Sequence, residues 1–262
     1  MNIFVEIEFW SESNIGHFLY QSLSLLMDII NNTTNNIILL IPQHINSNFQ
    51  TRWHNGILKI LESNIDSFSI QIKDNIRHVN TNIIKPQCPS KINVNNLRKL
   101  RDFTYKYYNI PYTLNVSYKI LYTRIQDTYR RHLYGFEKVK ANFDLIIHSL
   151  NVSFEEQVKL FSNCSHFVSV ESGAHFSNII FMPPESKIMN ILTRTDFSSL
   201  NDRTEGYDSW QVRFGGAELI KEFNIQTKAT TRILCNLEED HDMHDHVMID
   251  DTLKDAILLF LD

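Results

Sequence analysis

The sequence predicts an α/β protein of alternating strands and helices, and two stretches carry this prediction. Residues 2–9, 16–30 and 36–41 follow the order strand, amphipathic helix, strand. Residues 153–192 repeat the alternation, with a small-residue turn between a strand and a second helix. Because parallel strands must be joined by a crossover, both stretches are typical of βαβ units. The predicted fold class is therefore α/β.

The remaining elements continue this alternation along the chain. From apolar runs and the turn residues that bound them, we predict a helix at 53–61, a strand at 68–72, a helix at 94–108, strands at 118–123 and 143–147, and a final helix at 250–261. A boundary near residues 112–117 separates two alternating series. The predicted domains are residues 1–115 and 116–249, and the terminal helix, 250–262, is expected to cross back to the first domain.

The stretch from Ser153 onward is the most informative part of the chain. Its elements are a capped helix at 153–164, a strand at 166–170, the turn Glu171-Ser172-Gly173-Ala174, a helix at 175–181 that Pro183 and Pro184 end, and a strand at 187–192. A helix that opens at the carboxyl end of a strand points unpaired N–H groups at a bound anion. The turn is thus a candidate phosphate site. The alternative is a glycine that only lets helix and strand pack closely.

Composition limits the classes of protein that fit. Of 262 residues, 43% are hydrophobic and 21% charged, which suffices for a buried core. A net charge of −5 argues against a protein that coats nucleic acid. No window approaches the roughly 20 apolar residues that span a bilayer. Cys88, Cys164 and Cys235 lie far apart and predict neither a disulfide framework nor a zinc site, so a cytoplasmic protein is expected.

Three segments, in order along the chain, resemble the family 61 glycosyltransferases. The main one is the run that ends in the two prolines, with matching positions at Glu156, Gln157, Gly173, Ala174, Ser177, Asn178, Phe181, Met182, Pro183 and Pro184. Upstream, Thr123 and Arg124, followed by Arg130 and Arg131, resemble the family's strand-ending arginine and the basic residues after it. Residues 14–19 are similar to the element that opens the acceptor-side domain.

The resemblance also has departures inside the same segments. Ser172 stands where the family usually has histidine, and His175 stands where it commonly has glycine. Asn190 replaces an acidic residue often found after the prolines. The donor pocket is therefore expected to differ from the usual family pattern.

The resemblance implies a GT-B-like fold, in which two Rossmann-like α/β domains face each other across a cleft. In such a fold the second domain holds a nucleotide-diphosphate sugar, with UDP favoured, and the first presents a glycan or other hydroxyl acceptor. Inversion is expected, because no carboxylate pair seven residues apart follows the glycine turn. Polysaccharide biosynthesis is the implied setting, and neither a cofactor nor a divalent metal is expected.

The resemblance and the chemistry together assign roles to residues. His17 is the expected general base, because histidine titrates near neutral pH. Arg124 is expected to grip the diphosphate with two hydrogen bonds. The other predicted donor-binding residues are Glu171, which would bind ribose hydroxyls, and Ser172, Gly173, Ala174, His175, Ser177 and Asn178; a second group comprises Asn14, Thr123, Arg130 and Arg131.

Several alternatives remain open from the sequence. Arg124 could be a solvated loop arginine, and His17 could merely cap or pack at the start of a helix. The run 240–246 contains His241, His244 and His246, which have metal-ligand spacing, but adventitious metal binding or a solvated acidic loop is favoured over a catalytic metal. The competing function is a nucleotide- or sugar-binding protein that keeps the fold without catalysis. A dinucleotide-binding enzyme is set aside, since no G-x-G-x-x-G follows a predicted strand.

Overall fold

A computed structural model describes residues 2–7, 18–41, 52–72, 83–84, 93–112, 117–126, 132–170, 177–192, 226–231 and 246–262. The chain divides into two compact units. Unit 1 comprises Met1–Pro111 and Ser153–Glu155, and unit 2 comprises Tyr112–Val152 and Glu156–Asp262. Both units combine helices with parallel sheets, so the predicted α/β class is confirmed. The predicted domain limits stay a prediction.

Unit 1 is built on a four-stranded parallel sheet in the order β3-β2-β1-β4. Its strands are β1 (Asn2–Glu6), β2 (Asn36–Ile41), β3 (Phe68–Ile72) and β4 (Ile83–Ile84). Its helices are a π-helical turn at Phe18–Leu23 that runs directly into α1 (Ser24–Asn31), then α2 (Arg52–Asn64) and α3 (Val94–Tyr107). β2 is buried at every position after its first residue, as expected of a parallel strand covered on both faces.

Unit 2 is built on a five-stranded parallel sheet in the order β10-β9-β8-β5-β7. Its strands are β5 (Tyr118–Tyr122), β7 (Leu145–Ile147), β8 (Cys164–Val170), β9 (Lys187–Leu192) and β10 (Gln226–Thr231). Two short strands, β6 (Leu133–Tyr134) and β11 (Val247–Met248), form a separate parallel pair. The helical elements are 3₁₀ turns at Phe136–Lys138 and Lys140–Asn142, α4 (Phe154–Ser162), a helical turn at 177–179 and α5 (Asp251–Leu261).

The terminal helix α5 packs into the core of unit 2. Asp250 caps it by accepting a hydrogen bond from the Leu253 N–H at 2.7 Å. Its apolar face joins a buried cluster with the strands of this unit, whose members include Leu121, Val168, Val170, Met189, Ile191, Leu253, Ile257, Phe260 and Leu261. These buried side chains complete the core of the second unit. The expected crossing of this helix to the first domain stays a prediction.

Candidate active site

The sheet of unit 2 has one position where its strand order reverses. β7 lies on one side of β5, whereas β8, β9 and β10 follow in turn on the other side. Doubly wound sheets bind ligands in the crevice outside the carboxyl ends of the strands at such a reversal. Tyr122 of β5 lies in register with Ser169 of β8. The carboxyl ends of β5 and β8 are therefore neighbours at this reversal. In the sequence, Thr123 follows the first of these ends and Glu171 follows the second.

Arg124 is the first cationic residue after β5, and its backbone is strained. Its φ is 61°, in the left-handed region, and its side chain is only 9% exposed. Among the described residues other than glycine, Asn109 and Glu185 also have positive φ. Asparagine tolerates this conformation, whereas for most side chains it costs about 1–2 kcal/mol. Strain of this kind persists where surrounding contacts fix the backbone, and it concentrates at functional sites.

Hydrogen bonds on both sides of Arg124 fix this conformation. The Thr123 N–H donates to the Ile147 carbonyl at 2.8 Å, and the Thr123 carbonyl accepts from the Leu133 N–H at 2.9 Å. Beyond Arg124, the Gln126 N–H donates to the His148 carbonyl at 3.0 Å. The Thr123 hydroxyl also lies 2.7 Å from Nδ1 of His148. Thr123 and Arg124 are among the residues predicted from the sequence; His148 is not, because no local motif distinguishes it.

A cluster of three rings lies beside this turn, at the start of the paired strands β6 and β11. Nδ1 of His132 is 2.9 Å from the Tyr134 hydroxyl, and the rings of His132 and His246 have centroids 4.5 Å apart. The His132 N–H donates to Nδ1 of His246 at 3.2 Å. Since an N–H can only donate, that nitrogen carries no proton, and neutral His246 holds its proton on Nε2. The sequence analysis missed His132 and Tyr134.

Of the three histidines in the run 240–246, the structure describes one. His246 is described, while His241 and His244 lie outside the described residues. Within the described ranges, no group of three or more His, Cys, Asp or Glu side chains could hold a metal ion. The proposed absence of a catalytic metal stays a prediction.

The structure describes only some of the predicted donor-binding residues. Ser177 and Asn178 lie in the helical segment that is described at 177–179, and both side chains are fully buried in unit 2. The predicted site residues that lie outside the described residues are Asn14, His17, Arg130, Arg131, Glu171, Ser172, Gly173, Ala174 and His175. Their assignments stay predictions.

In unit 1, the described helix that follows His17 begins with Phe18. The Phe18 ring meets the ring of His54 edge-on, with centroids 4.2 Å apart, and His54 is buried in α2. The residues from Phe18 to Leu23 form a π-helical turn, a feature frequent at functional sites. His54 is not among the residues predicted from the sequence, because a histidine among apolar helix residues is usually part of a core.

Two titratable groups of unit 2 lie away from the candidate site. Burial, followed by the charges of Lys187 and Lys119, lowers the pKa of His166 to about 4. Burial raises the pKa of the Cys164 thiol, which disfavours the nucleophilic thiolate. Both residues belong to the first half of β8, whereas the candidate site is at its carboxyl end. Neither residue is therefore part of the candidate site.

Comparison with protein families decides the assignment. A family model described as Glycosyltransferase 61 matches residues 15–189, which is more than half of the chain. The chain belongs to the glycosyltransferase 61 family. The resemblance predicted from sequence motifs is thereby confirmed. The family 61 match contains β5, Arg124, His148 and the whole of β8.

Membership of family 61 gives the chain its coarse function. It is a glycosyltransferase, with a sugar donor and an acceptor as substrates. Comparison with curated proteins gives no significant match. Among the helices of the described residues, none is long and apolar enough to cross a membrane.

Proposed function

We propose that the protein transfers a sugar from a nucleotide-diphosphate donor to a hydroxyl of a glycan or other acceptor, with inversion and without a metal. The donor binds at the strand reversal of unit 2. The observation that carries this proposal is the placement of Arg124, a strained and buried arginine two residues after the end of β5. A GT-B arrangement of two facing domains belongs to the proposal, as do UDP as the nucleotide and a cytoplasmic location.

The chemistry of the leaving group explains the need for Arg124. As the bond from the sugar to the diphosphate breaks, negative charge develops on the phosphate oxygens. A guanidinium can donate two parallel hydrogen bonds to such oxygens and stays protonated at all relevant pH values. Backbone N–H groups near Ala174 to Ser177, which follow β8 in the sequence, would add donors. No metal is then required to neutralise the diphosphate.

His17 is the proposed general base of the transfer. The acceptor oxygen attacks the anomeric carbon from the face opposite the diphosphate, so one C–O bond forms as the other breaks. The hydroxyl proton passes to the neutral imidazole, and the electron pair of the broken bond leaves with the diphosphate. The support for this role is the position of His17 within the family 61 match.

Nucleotide binding provides the direct test of the donor site. UDP, GDP and CDP are each added to the protein, and its melting temperature is measured. A ligand at about 100 times its Kd stabilises the folded state by about 2.7 kcal/mol, or roughly 5–10 °C for a chain of this size. We expect such a shift with at least one nucleotide and its loss in Arg124→Lys, because lysine cannot form the bidentate contact.

A second arginine provides a matched control. Arg101 on α3 has the same exposed fraction, 9%, and its guanidinium lies over the Tyr105 ring in unit 1. Arg101→Lys should lower the melting temperature yet keep the nucleotide-induced shift. The donor site is wrongly placed if both variants lose the shift equally, and no shift with any nucleotide overturns the proposed function.

The alternative function is nucleotide or sugar binding without transfer. One observation favours it: Asn190, buried in β9 beside Ser169, occupies the position where the family often has an acidic residue. Release of UDP from UDP-sugars distinguishes the two functions, because a binding protein would show the melting shift but no release. In a transferase, His17→Ala should reduce release by about 10²-fold or more, the usual size of a general-base contribution.

A further inference from the structure

We propose that His148 is a positioning residue for Arg124 and that it acts from both sides of the strained turn. This inference rests on the proposed role of Arg124 in binding the diphosphate. The His148 ring contacts the residue before Arg124, because Nδ1 lies 2.7 Å from the Thr123 hydroxyl. The His148 carbonyl accepts the N–H of Gln126, two residues beyond Arg124, at 3.0 Å. His148 thus contacts the chain on both sides of Arg124.

The ring contact is hard to replace. The Thr123 side chain is fully buried, so water cannot take the place of the imidazole without a structural opening. The other acceptor near this hydroxyl is the Ile147 carbonyl, at the longer distance of 3.4 Å. Either partner of the Thr123–His148 pair can be the donor, because the hydroxyl and the imidazole each have a donor and an acceptor form. The contact therefore persists whichever tautomer His148 adopts.

The clamp determines where the Arg124 side chain points. At φ 61° the backbone is held outside the range that arginine prefers. If the clamp is released, a return to a φ near −60° would turn the Cα–Cβ bond by roughly 120° about the N–Cα axis. The guanidinium would then leave its position at the carboxyl end of β5. His148 and Thr123 thus affect diphosphate binding through Arg124 rather than by touching the donor.

The neighbouring sheet strand explains why His148 can hold this turn. β7 pairs with β5 in parallel, with Ile147 in register with Tyr122. The residues that follow the two strands, His148 and Thr123, therefore leave the sheet side by side. A third strand end contributes through Leu133, whose N–H donates to the Thr123 carbonyl. Thr123 is held at its N–H, its carbonyl and its hydroxyl.

The experiment measures the Kd of UDP and of inorganic pyrophosphate by calorimetry. Pyrophosphate is included because Arg124 is proposed to contact the diphosphate, whatever the base. His148→Leu should raise the Kd of both ligands about tenfold, and Thr123→Val should do the same. His148→Asn should restore most of the affinity, since an amide atom lies as many bonds from Cα as Nδ1 does, and Thr123→Ser should behave like the wild type.

A double-variant cycle separates positioning from general damage. If His148 acts through Arg124, His148→Leu should cause no further loss in an Arg124→Lys background. His166→Leu is the control, because His166, like His148, is a half-buried histidine of unit 2 but belongs to the amino-terminal part of β8. It should leave both Kd values unchanged.

The outcomes separate this inference from the proposed function. If the wild type binds neither UDP, GDP, CDP nor pyrophosphate, the proposed function fails. If the wild type binds and Arg124→Lys weakens binding, but His148→Leu keeps the wild-type Kd, the positioning role alone is overturned. The positioning role is also overturned if His148→Leu causes an equal loss of affinity in the wild type and in the Arg124→Lys background. Circular dichroism must show that each variant is folded. If His148→Leu does not fold, the comparison of Thr123→Val with Thr123→Ser decides the case.

Discussion

Arg124 is both strained and buried, and the two properties have a common explanation. A buried guanidinium needs partners, and a positive φ needs contacts that prevent relaxation. The hydrogen bonds of Thr123 and His148 supply the second requirement. A turn selected only for stability would place glycine here, because glycine adopts a positive φ without steric cost. The arginine is retained against that preference, which supports a role in binding.

Glycine and alanine at position 124 should separate strain from function. At ordinary backbone angles in a helix, alanine is more stabilising than glycine by about 1 kcal/mol. At φ 61° we expect the reverse, with Arg124→Gly more stable than Arg124→Ala by about 1 kcal/mol in urea unfolding. Both variants should lose the nucleotide-induced melting shift. Lys59, which is exposed on α2, provides the control position. There the alanine variant should have a higher free energy of unfolding than the glycine variant. Equal stability of the two variants at 124 would show that the turn relaxes.

His166 should make stability depend on pH. Its pKa is lowered from 6.5 to about 4, by burial first and then by Lys187 and Lys119. The unfolded chain therefore binds the proton more readily, so the free energy of unfolding falls as the pH drops from 6.5 to 4. Above pH 6.5 the full contribution is present. In His166→Leu, urea unfolding at a series of pH values should give a shallower fall across this window.

A lysine substitution tests the cause of this shift. Since burial is the larger cause, Lys187→Met should flatten the pH dependence less than His166→Leu does. An unchanged slope between pH 6.5 and 4 in His166→Leu would assign the acid sensitivity to other groups. The Lys119 ammonium is less suitable for this test, because it also donates to the Leu261 carbonyl at 2.8 Å.

Helix α2 depends on a glycine for its packing. Gly56 faces Phe154, the first residue of α4 and a member of unit 1. A Cβ at position 56 would lie 2.6 Å from Cδ1 of the phenylalanine ring. That ring is confined by Trp53, at a centroid distance of 5.2 Å, and by Tyr108, at 6.3 Å. The ring therefore has little freedom to move away from an added methyl group.

Gly56→Ala should consequently destabilise the protein, although alanine favours helices. The gain in helix propensity is about 1 kcal/mol, and overpacking costs about 1–3 kcal/mol, so a net loss of roughly 1 kcal/mol is expected. Urea unfolding measures it. In a Phe154→Ala background the space is open, and the same substitution should become stabilising. Stabilisation by Gly56→Ala alone would mean that the phenylalanine ring can move.

Local sequence patterns determine most strands but not all of them. β2, β3 and β9 begin and end where the sequence predicts, because each is an apolar or alternating run bounded by turn residues. β10, with the sequence Gln-Thr-Lys-Ala-Thr-Thr, was not predicted. This segment is a strand because its backbone pairs with β9, and its polar sequence contains no pattern that predicts this pairing. β8 begins at Cys164, two residues before the predicted start.

The candidate site divides in the same way. Arg124 could be predicted, since it follows a recognisable strand and carries a charge suited to phosphate. His148 could not, because its role arises from the pairing of β7 with β5, residues 25 positions apart along the chain. His132 and His246 meet only through the pairing of β6 with β11. Sequence therefore identified the residue proposed to contact the donor, whereas the residues that hold it required the sheet order.

Hydrogen exchange should show which unit holds the donor. A bound ligand slows exchange through openings that release it, by a factor of up to about 100 at 100 times Kd. With UDP present, we expect the largest slowing in peptides covering 118–126 and 145–148, around Arg124 and His148. The strand β2, in unit 1, provides the reference peptide and should change less. Arg124→Lys should remove the difference between the peptides. Slowing concentrated in β1 and β2 would instead place the nucleotide in unit 1 and overturn the assignment of the donor to the strand reversal of unit 2.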